Sequence, residues 1–288
     1  MHRRHFLWTL PLATTIALAD EPLRIGVLPY EAADKVRENW TPFADYLGRQ
    51  LSREVKVYIG TDYVGLIEAA RAKKIDLIML SPLPYVLASA QVKLIPLFSP
   101  LEIKEPGKRG VPFYRGCIIT RKDSGLKTLK DLKGKRMAFV DPASTSGHLY
   151  PVELMMRHGV DPRRDLKMEY YAGNADALVY SVFDGRVEAG ALYKGGMERV
   201  LKTPEKIAQM RVLGETRDIP SGVMSARADL PRALIERIRK AVTELDRSGD
   251  CEKVCGPFMV NGWIPAKEET FDAVRKVATL LKIEPKKK

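Results

Sequence analysis

The feature that most limits what this chain can become is an alternation of short apolar runs and helical patterns that runs twice. Residues 23–29 ("LRIGVLP"), 55–60 ("VKVYIG"), 76–80 ("DLIML") and 93–98 ("KLIPLF") have the length and β-rich character of strands. Between them, 40–51 places Phe43, Leu47 and Leu51 on one helical face, with Thr41 read as N-cap and Pro42 at the first helical position, and 63–73 repeats the pattern. Strand and helix in alternation predict a mostly parallel sheet covered on both faces. The pattern stops in the charged, Gly- and Pro-containing stretch 102–116 and then restarts. "GCIITR", "RMAFVD", "KMEYY" and "AGALY" are its second set of strands, and 145–158 and 174–184 its helices. The expectation is an α/β protein of two lobes, with a boundary near residue 115. From about 220 the chain reads as helical again, and over 231–245 Leu234, Ile235, Ile238, Ala241, Val242 and Leu245 recur at helical spacing.

The first 19 residues stand apart. A basic start, an apolar stretch from Phe6 to Ala19 and Ala17-Leu18-Ala19 before Asp20 form the layout of a cleaved export signal, and the stretch is short for a membrane span. Arg3-Arg4 ahead of it leaves both the general secretory and the twin-arginine routes open. About 269 of the 288 residues then remain, ample for a substantial core. The formal charge of +12 becomes +10 once Arg3 and Arg4 leave. Such a balance suits an anionic ligand or surface, but the basic residues are spread along the chain rather than gathered with aromatics, which argues against nucleic acid as a partner. Four histidines without cysteine or carboxylate at metal-ligand spacing predict no zinc site, and no cofactor motif is present. Of three cysteines, Cys251 and Cys255 are close enough in sequence for a local disulfide, which would leave Cys117 as a free thiol.

The stretch 140–151, "VDPASTSGHLYP", concentrates hydroxyls where a strand gives way to a helix. Ser144 is a natural N-cap there, and Thr145, Ser146 and Gly147 fill the first turn. Amides at a helix start lack intrahelical partners and carry the positive end of its dipole, so with three hydroxyls beside them they can cradle an oxyanion. The plainer alternative is that Ser144 does no more than cap its own helix.

Three segments in order resemble the periplasmic solute-binding proteins of phosphonate, phosphite and phosphate uptake, a family that includes arsenite-binding sensor members. They are "LRIGVLPY" with "WTPFADYLGRQL" and "VKVYIGTDYVGLIEAARAKKIDLIMLSPLPYVLA", then "RKDSGLKTLKDLKGKRMAFVDPASTSGHLYP", then "GNADALVYSVFDGRVEAGALY" with "IPSGVMSARADLP". The resemblance implies the type II periplasmic-binding-protein fold, two lobes joined by crossover strands with a ligand cleft between them, so that 20–115 begins the first lobe, 116–213 forms the second and 214–288 returns to the first with C-terminal helices. It also implies that Ser144, Thr145 and Ser146 ligate the anion, together with Tyr63 and Ser81, each of which follows a predicted strand end. For Tyr63 a ring covering the lobe edge, and for Ser81 a helix cap, are equally good readings of the residue alone.

The sequence also departs from the family. Aminophosphonate-binding relatives carry a His where Ala175 stands beside Asn174, and acidic residues where Gly195 and Gly222 stand, so recognition of an aminoalkyl tail is not expected. The leading expectation is a non-catalytic periplasmic protein that captures phosphite, phosphate or a simple phosphonate by lobe closure and presents it to a membrane ABC permease. Cys117, placed at the start of a crossover strand, supports the alternative of an arsenite sensor reporting to a membrane histidine kinase, with the thiol as an arsenic ligand. A cysteine-dependent transferase on the same fold is the enzymatic alternative, but Cys117 has no sequence-adjacent base.

Overall fold

The structure is a computed structural model that describes residues 21–283; the segment 1–19, read as an export signal, lies outside the described residues. Its strands are β1 (Leu23–Val27), β2 (Val55–Ile59), β3 (Leu77–Leu80), β4 (Leu94–Glu102), β5 (Phe113–Tyr114), β6 (Gly116–Arg121), β7 (Arg136–Phe139), β8 (Met168–Tyr171), β9 (Ala189–Tyr193), β10 (Met210–Glu215), β11 (Ile219–Pro220), β12 (Val223–Arg227) and β13 (Val260–Pro265). They form two main sheets, ordered β13-β4-β12-β3-β1-β2 and β10-β6-β9-β7-β8, and a ribbon of β11 with β5. The first sheet belongs to one lobe and the second to the other. The chain crosses between them after β4 and again after β10, and β5 and β11 pair where the two crossings meet.

The expected "mostly parallel" sheet is mixed. β1 runs parallel to β2 and β3, but β12 is antiparallel to β3 and β4, and β13 to β4. The reason is topological: the chain re-enters the first sheet from the other lobe rather than through a covering helix, and so arrives from the opposite direction. For the same reason the stretch after 220 does not simply turn helical. β12 lies in the middle of the first sheet before the helix Arg232–Ser248 begins.

One helix start is also corrected. The first helix is Ala33–Leu51, with Pro42 inside it rather than at its first turn. Pro42 has no N–H to give the Glu38 carbonyl, and the Thr41 hydroxyl, far from capping, donates to the Arg37 carbonyl at 2.8 Å. The helix continues because Val36, Trp40, Phe43 and Leu47 form one buried stripe against Leu23, Ile25 and Val27. Burying such side chains is worth roughly 1.5–3 kcal/mol each, comparable to the roughly 3 kcal/mol that an interior proline costs. Ile238 and Val242 of Arg232–Ser248 join the same cluster. A second cluster runs from Leu66, Leu80 and Leu83 of the first lobe to Val140, Tyr150 and Val179 of the second, so apolar packing spans both lobes.

Candidate ligand-binding site

β7 delivers the chain to the hydroxyl-rich turn. Asp141 folds it back: its backbone carbonyl accepts from Ser144 N at 2.9 Å, and its carboxylate accepts from Ala143 N at 2.7 Å. Ser144 then caps the turn that begins at Thr145, its hydroxyl accepting from Gly147 N at 3.1 Å, an interaction worth about 1 kcal/mol. The expected helix is present, but its first turn, Thr145–Leu149, is π-helical and only Tyr150–Arg157 is regular. Insertions of this type reposition side chains at the start of a helix. The turn is tight enough to demand glycine at two points. A Cβ on Gly147 would lie 2.7 Å from the Val140 side chain, and one on Gly116, at the head of β6, 2.7 Å from the Ser146 carbonyl.

The first lobe meets this turn with two helix starts. Thr145 Oγ1 accepts from Leu83 N at 2.8 Å and donates to Ser81 Oγ at 3.4 Å. Ser81 is the N-cap of Pro82–Ser89 but makes no capping bond, so its hydroxyl is free to face the other lobe. Tyr63 opens Tyr63–Arg71, capped by Asp62 at 2.6 Å to Gly65 N. Burial drives the Tyr63 phenol pKa far up, an effect the neighbouring Ser144 hydroxyl opposes. Burial likewise raises the Asp141 carboxyl, opposed by the backbone N–H groups of Ala143 and of Tyr63 across the lobe boundary. Tyr114, on the crossover ribbon, is likewise raised by burial, with the nearby Ser146 hydroxyl opposing the rise.

These groups open into a cavity of about 560 Å³. Ser144, Ser146, Tyr63 and Ser81 line it. Thr145 does not: it is fully buried just behind, engaged with the first lobe. Cys117 is also outside the lining. It lies on β6, 2% exposed within the inter-lobe apolar cluster, and burial pushes its thiol up to about 12. Cys117, expected as a candidate ligand residue at the start of the crossover strand, is the second residue of β6 and packs within that apolar cluster. Cys251 and Cys255 are free thiols with sulfurs 3.3 Å apart, beyond bonding distance. Gly195 and Gly222 both line the cavity. At Gly222 a Cβ would sit 2.5 Å from the Leu80 carbonyl, so the backbone itself bars an acidic side chain there.

Sequence reasoning missed several lining residues: Tyr114, Glu31, Arg199, Glu102, and the stacked pair Trp40 and Phe258, with ring centroids 4.1 Å apart. The available signal was topological, since crossover segments between two lobes must border the cleft, and 102–116 is one of them. Among the described residues no helix is long and apolar enough to cross a membrane, and no three His, Cys, Asp or Glu side chains gather as a metal ion would require.

Two α/β lobes joined by crossover strands, with hydroxyls of both meeting at one cavity, define a type II solute-binding protein. The model of the family described as "ABC transporter, phosphonate, periplasmic substrate-binding protein" matches residues 25–271, and the chain belongs to that family, whose members are periplasmic binding proteins and not enzymes. It is 27% identical to the phosphate-import protein PhnD of Mycolicibacterium smegmatis, across 93% of this chain and 88% of that protein. A binding-protein component of an ABC phosphonate transporter from Pseudomonas aeruginosa has the same fold, with a TM-score of 0.83 at 22% identity over 91% of this chain and 87% of that one. The tetrathionate sensor histidine kinase TtrS of Salmonella typhimurium is 28% identical over 57% of this chain but only 28% of its own length.

Proposed function

We propose that this protein captures a small phosphorus oxyanion, namely phosphite, phosphate or a simple phosphonate, and presents it to an ABC permease. The observation that carries this reading is the convergence of Ser144 and Ser146 from one lobe with Tyr63 and Ser81 from the other on a single cavity. Hydroxyls that pair with one another can turn to donate to an anion without leaving a buried charge behind, and each charge-assisted bond so formed is worth about 1.5–3 kcal/mol. Because the donors belong to both lobes, a bound anion favours the closed arrangement by its differential contacts. The phosphate and phosphonate transport named for the relatives supports the same ligand class.

An arsenite ligand would need a thiolate in the cavity, and Cys117 is neither there nor readily ionised. A sensor kinase as partner is the second reading, favoured by the similarity to TtrS over part of the chain. Calorimetry with phosphite, phosphate and methylphosphonate tests the ligand assignment. The double substitution Ser144→Ala and Ser146→Ala is expected to weaken binding roughly a hundredfold or more. Wild-type affinity in that variant would overturn the assignment.

A further inference from the structure

A cradle of hydroxyl donors serves any tetrahedral oxyanion and cannot by itself separate a phosphonate from a sulfonate. Discrimination needs an acceptor facing the ligand. Three carboxylates line the cavity: Glu31, Glu102 and Glu198. Glu31 is already satisfied, accepting from Tyr193 OH at 2.5 Å and Arg199 Nε at 2.9 Å. Glu198 is exposed on the second lobe.

Glu102 is in a different situation. It ends β4, and its main chain is pinned by reciprocal bonds to Val111 at 2.8 and 3.0 Å, so its side chain springs from a fixed base. Its polar neighbour is the Ser221 hydroxyl, itself buried without a well-formed hydrogen bond. The cation that acts on it is Lys104, two residues on, which opposes the effect of burial; burial prevails and pushes the Glu102 carboxyl up to about 7. Tyr114 shares the cavity wall with both Glu102 and the cradle, and its phenol is influenced by the Ser146 hydroxyl on one side and the charge of Glu102 on the other. Half-buried and open to the cavity, with no well-formed hydrogen bond from a protein donor, this carboxyl is available to accept from whatever donor enters.

We propose that Glu102 is a specificity-determining residue that accepts a hydrogen bond from the ligand, so that the site takes oxyanions bringing a donor of their own and rejects sulfonates that bring none. This rests on the oxyanion reading above. A phosphonate or phosphate ionises a second time near neutrality and can share one proton with the carboxylate. A fully ionised sulfonate sets its lone pairs against those of Glu102, an unpaired repulsion of the kind that gives specificity by exclusion. An ammonium on the ligand would satisfy the same acceptor.

The test is calorimetry at pH 8 with methylphosphonate, methanesulfonate and 2-aminoethanesulfonate, on wild type, Glu102→Gln and Glu102→Asp, with thermal melts to verify folding. Wild type is expected to bind methylphosphonate about tenfold or more tighter than methanesulfonate. Glu102→Gln, which can donate as well as accept, should narrow that ratio to within about threefold, while Glu102→Asp keeps it. Binding of 2-aminoethanesulfonate that approaches methylphosphonate and is lost in Glu102→Gln would identify ammonium as the donor; its weak binding identifies the P–OH group. A phosphonate-to-sulfonate ratio unchanged in Glu102→Gln overturns the inference while leaving the oxyanion site standing. Failure of wild type to bind any of the probes or phosphate overturns both.

Discussion

The two lobes touch along two seams of opposite character. One is made of hydroxyls and a backbone amide: Thr145 bonds to Leu83 N and Ser81, and the Ser144 hydroxyl lies beside the Tyr63 phenol. The other is charged: Glu31 with Arg199 and Tyr193, and Asp176 with Lys35 and the Ala32 amide. Neutral hydrogen bonds are worth about 0.5–1.5 kcal/mol net and can exchange partners, so the hydroxyl seam can yield its donors to an anion. Charged pairs cannot be exchanged so freely, because separating them strands a charge. Their value depends on burial. Glu31 is 3% exposed, whereas Asp176 is 17% exposed and its ion pair with Lys35 is more screened. The hydroxyl seam is thus suited to holding ligand, and the Glu31 contact to holding the lobes in register around it.

The sharpest way to break this division is Glu31→Ala. Removing one partner of a buried pair costs about 3–5 kcal/mol. Arg199 is 31% exposed and can recover some hydration, which places the expected loss near the low end. Since the partners come from different lobes, the loss should fall on the lobe contact rather than on either core. Small-angle scattering should report a larger radius of gyration, and calorimetry a methylphosphonate affinity weakened on the order of a hundredfold. Lys35→Ala, acting on the more exposed of the two pairs, should change affinity by no more than about fivefold. Equal effects of the two would mean that burial does not distinguish the two charged contacts.

A smaller effect is expected on the other seam. Thr145→Val keeps the shape but leaves Leu83 N without its acceptor in a fully buried position, a penalty of about 1–3 kcal/mol. Binding should weaken about tenfold, and Thr145→Ser, which restores the acceptor, should remain near wild type. If valine and serine behave alike, the Leu83 bond is not what couples this turn to the first lobe.

These two seams differ in how legible they are in the sequence. The hydroxyl turn is written locally: "PASTSG" after an apolar run carries its own capping chemistry within six residues, and Ser144 does cap. The charged seam is assembled from residues 168 apart, Glu31 and Arg199, neither of which sits in a motif. Glu102 and Tyr114 fell in a stretch that composition marks as a poor helix and a poor central strand, which is also what a crossover between lobes looks like. The Ala33 start was hidden by Pro42, because a proline after a threonine is the usual signature of a first turn, and only the buried stripe from Val36 to Leu47 shows why the helix runs through it. β12 was missed because five residues of strand just ahead of a helical pattern acquire their meaning from partners more than 100 residues earlier.

The smallest expected effect concerns Cys117, the residue whose chemistry in isolation is the most suggestive. A free thiol on a crossover strand in an exported protein invites a ligand role, yet its surroundings remove both requirements for one. It is not part of the cavity lining, and burial, reinforced by the charges of Glu198 and Glu215, holds the thiol protonated well above neutral pH. Among the described residues its sulfur has one hydrogen-bond contact, the Tyr193 carbonyl at 4.0 Å, so it acts as a small apolar filler between the lobes. Cys117→Ala should therefore cost about 1 kcal/mol of stability through the lost volume, seen as a modest fall in thermal midpoint. Methylphosphonate affinity should stay within about twofold of wild type, which corresponds to less than about 0.5 kcal/mol. Arsenite should produce no binding heat that depends on this residue. A Cys117-dependent arsenite signal would require the second residue of β6 to turn out of the apolar cluster and into the cavity, and would erase the contrast between a packing sulfur behind the site and the hydroxyls that form it.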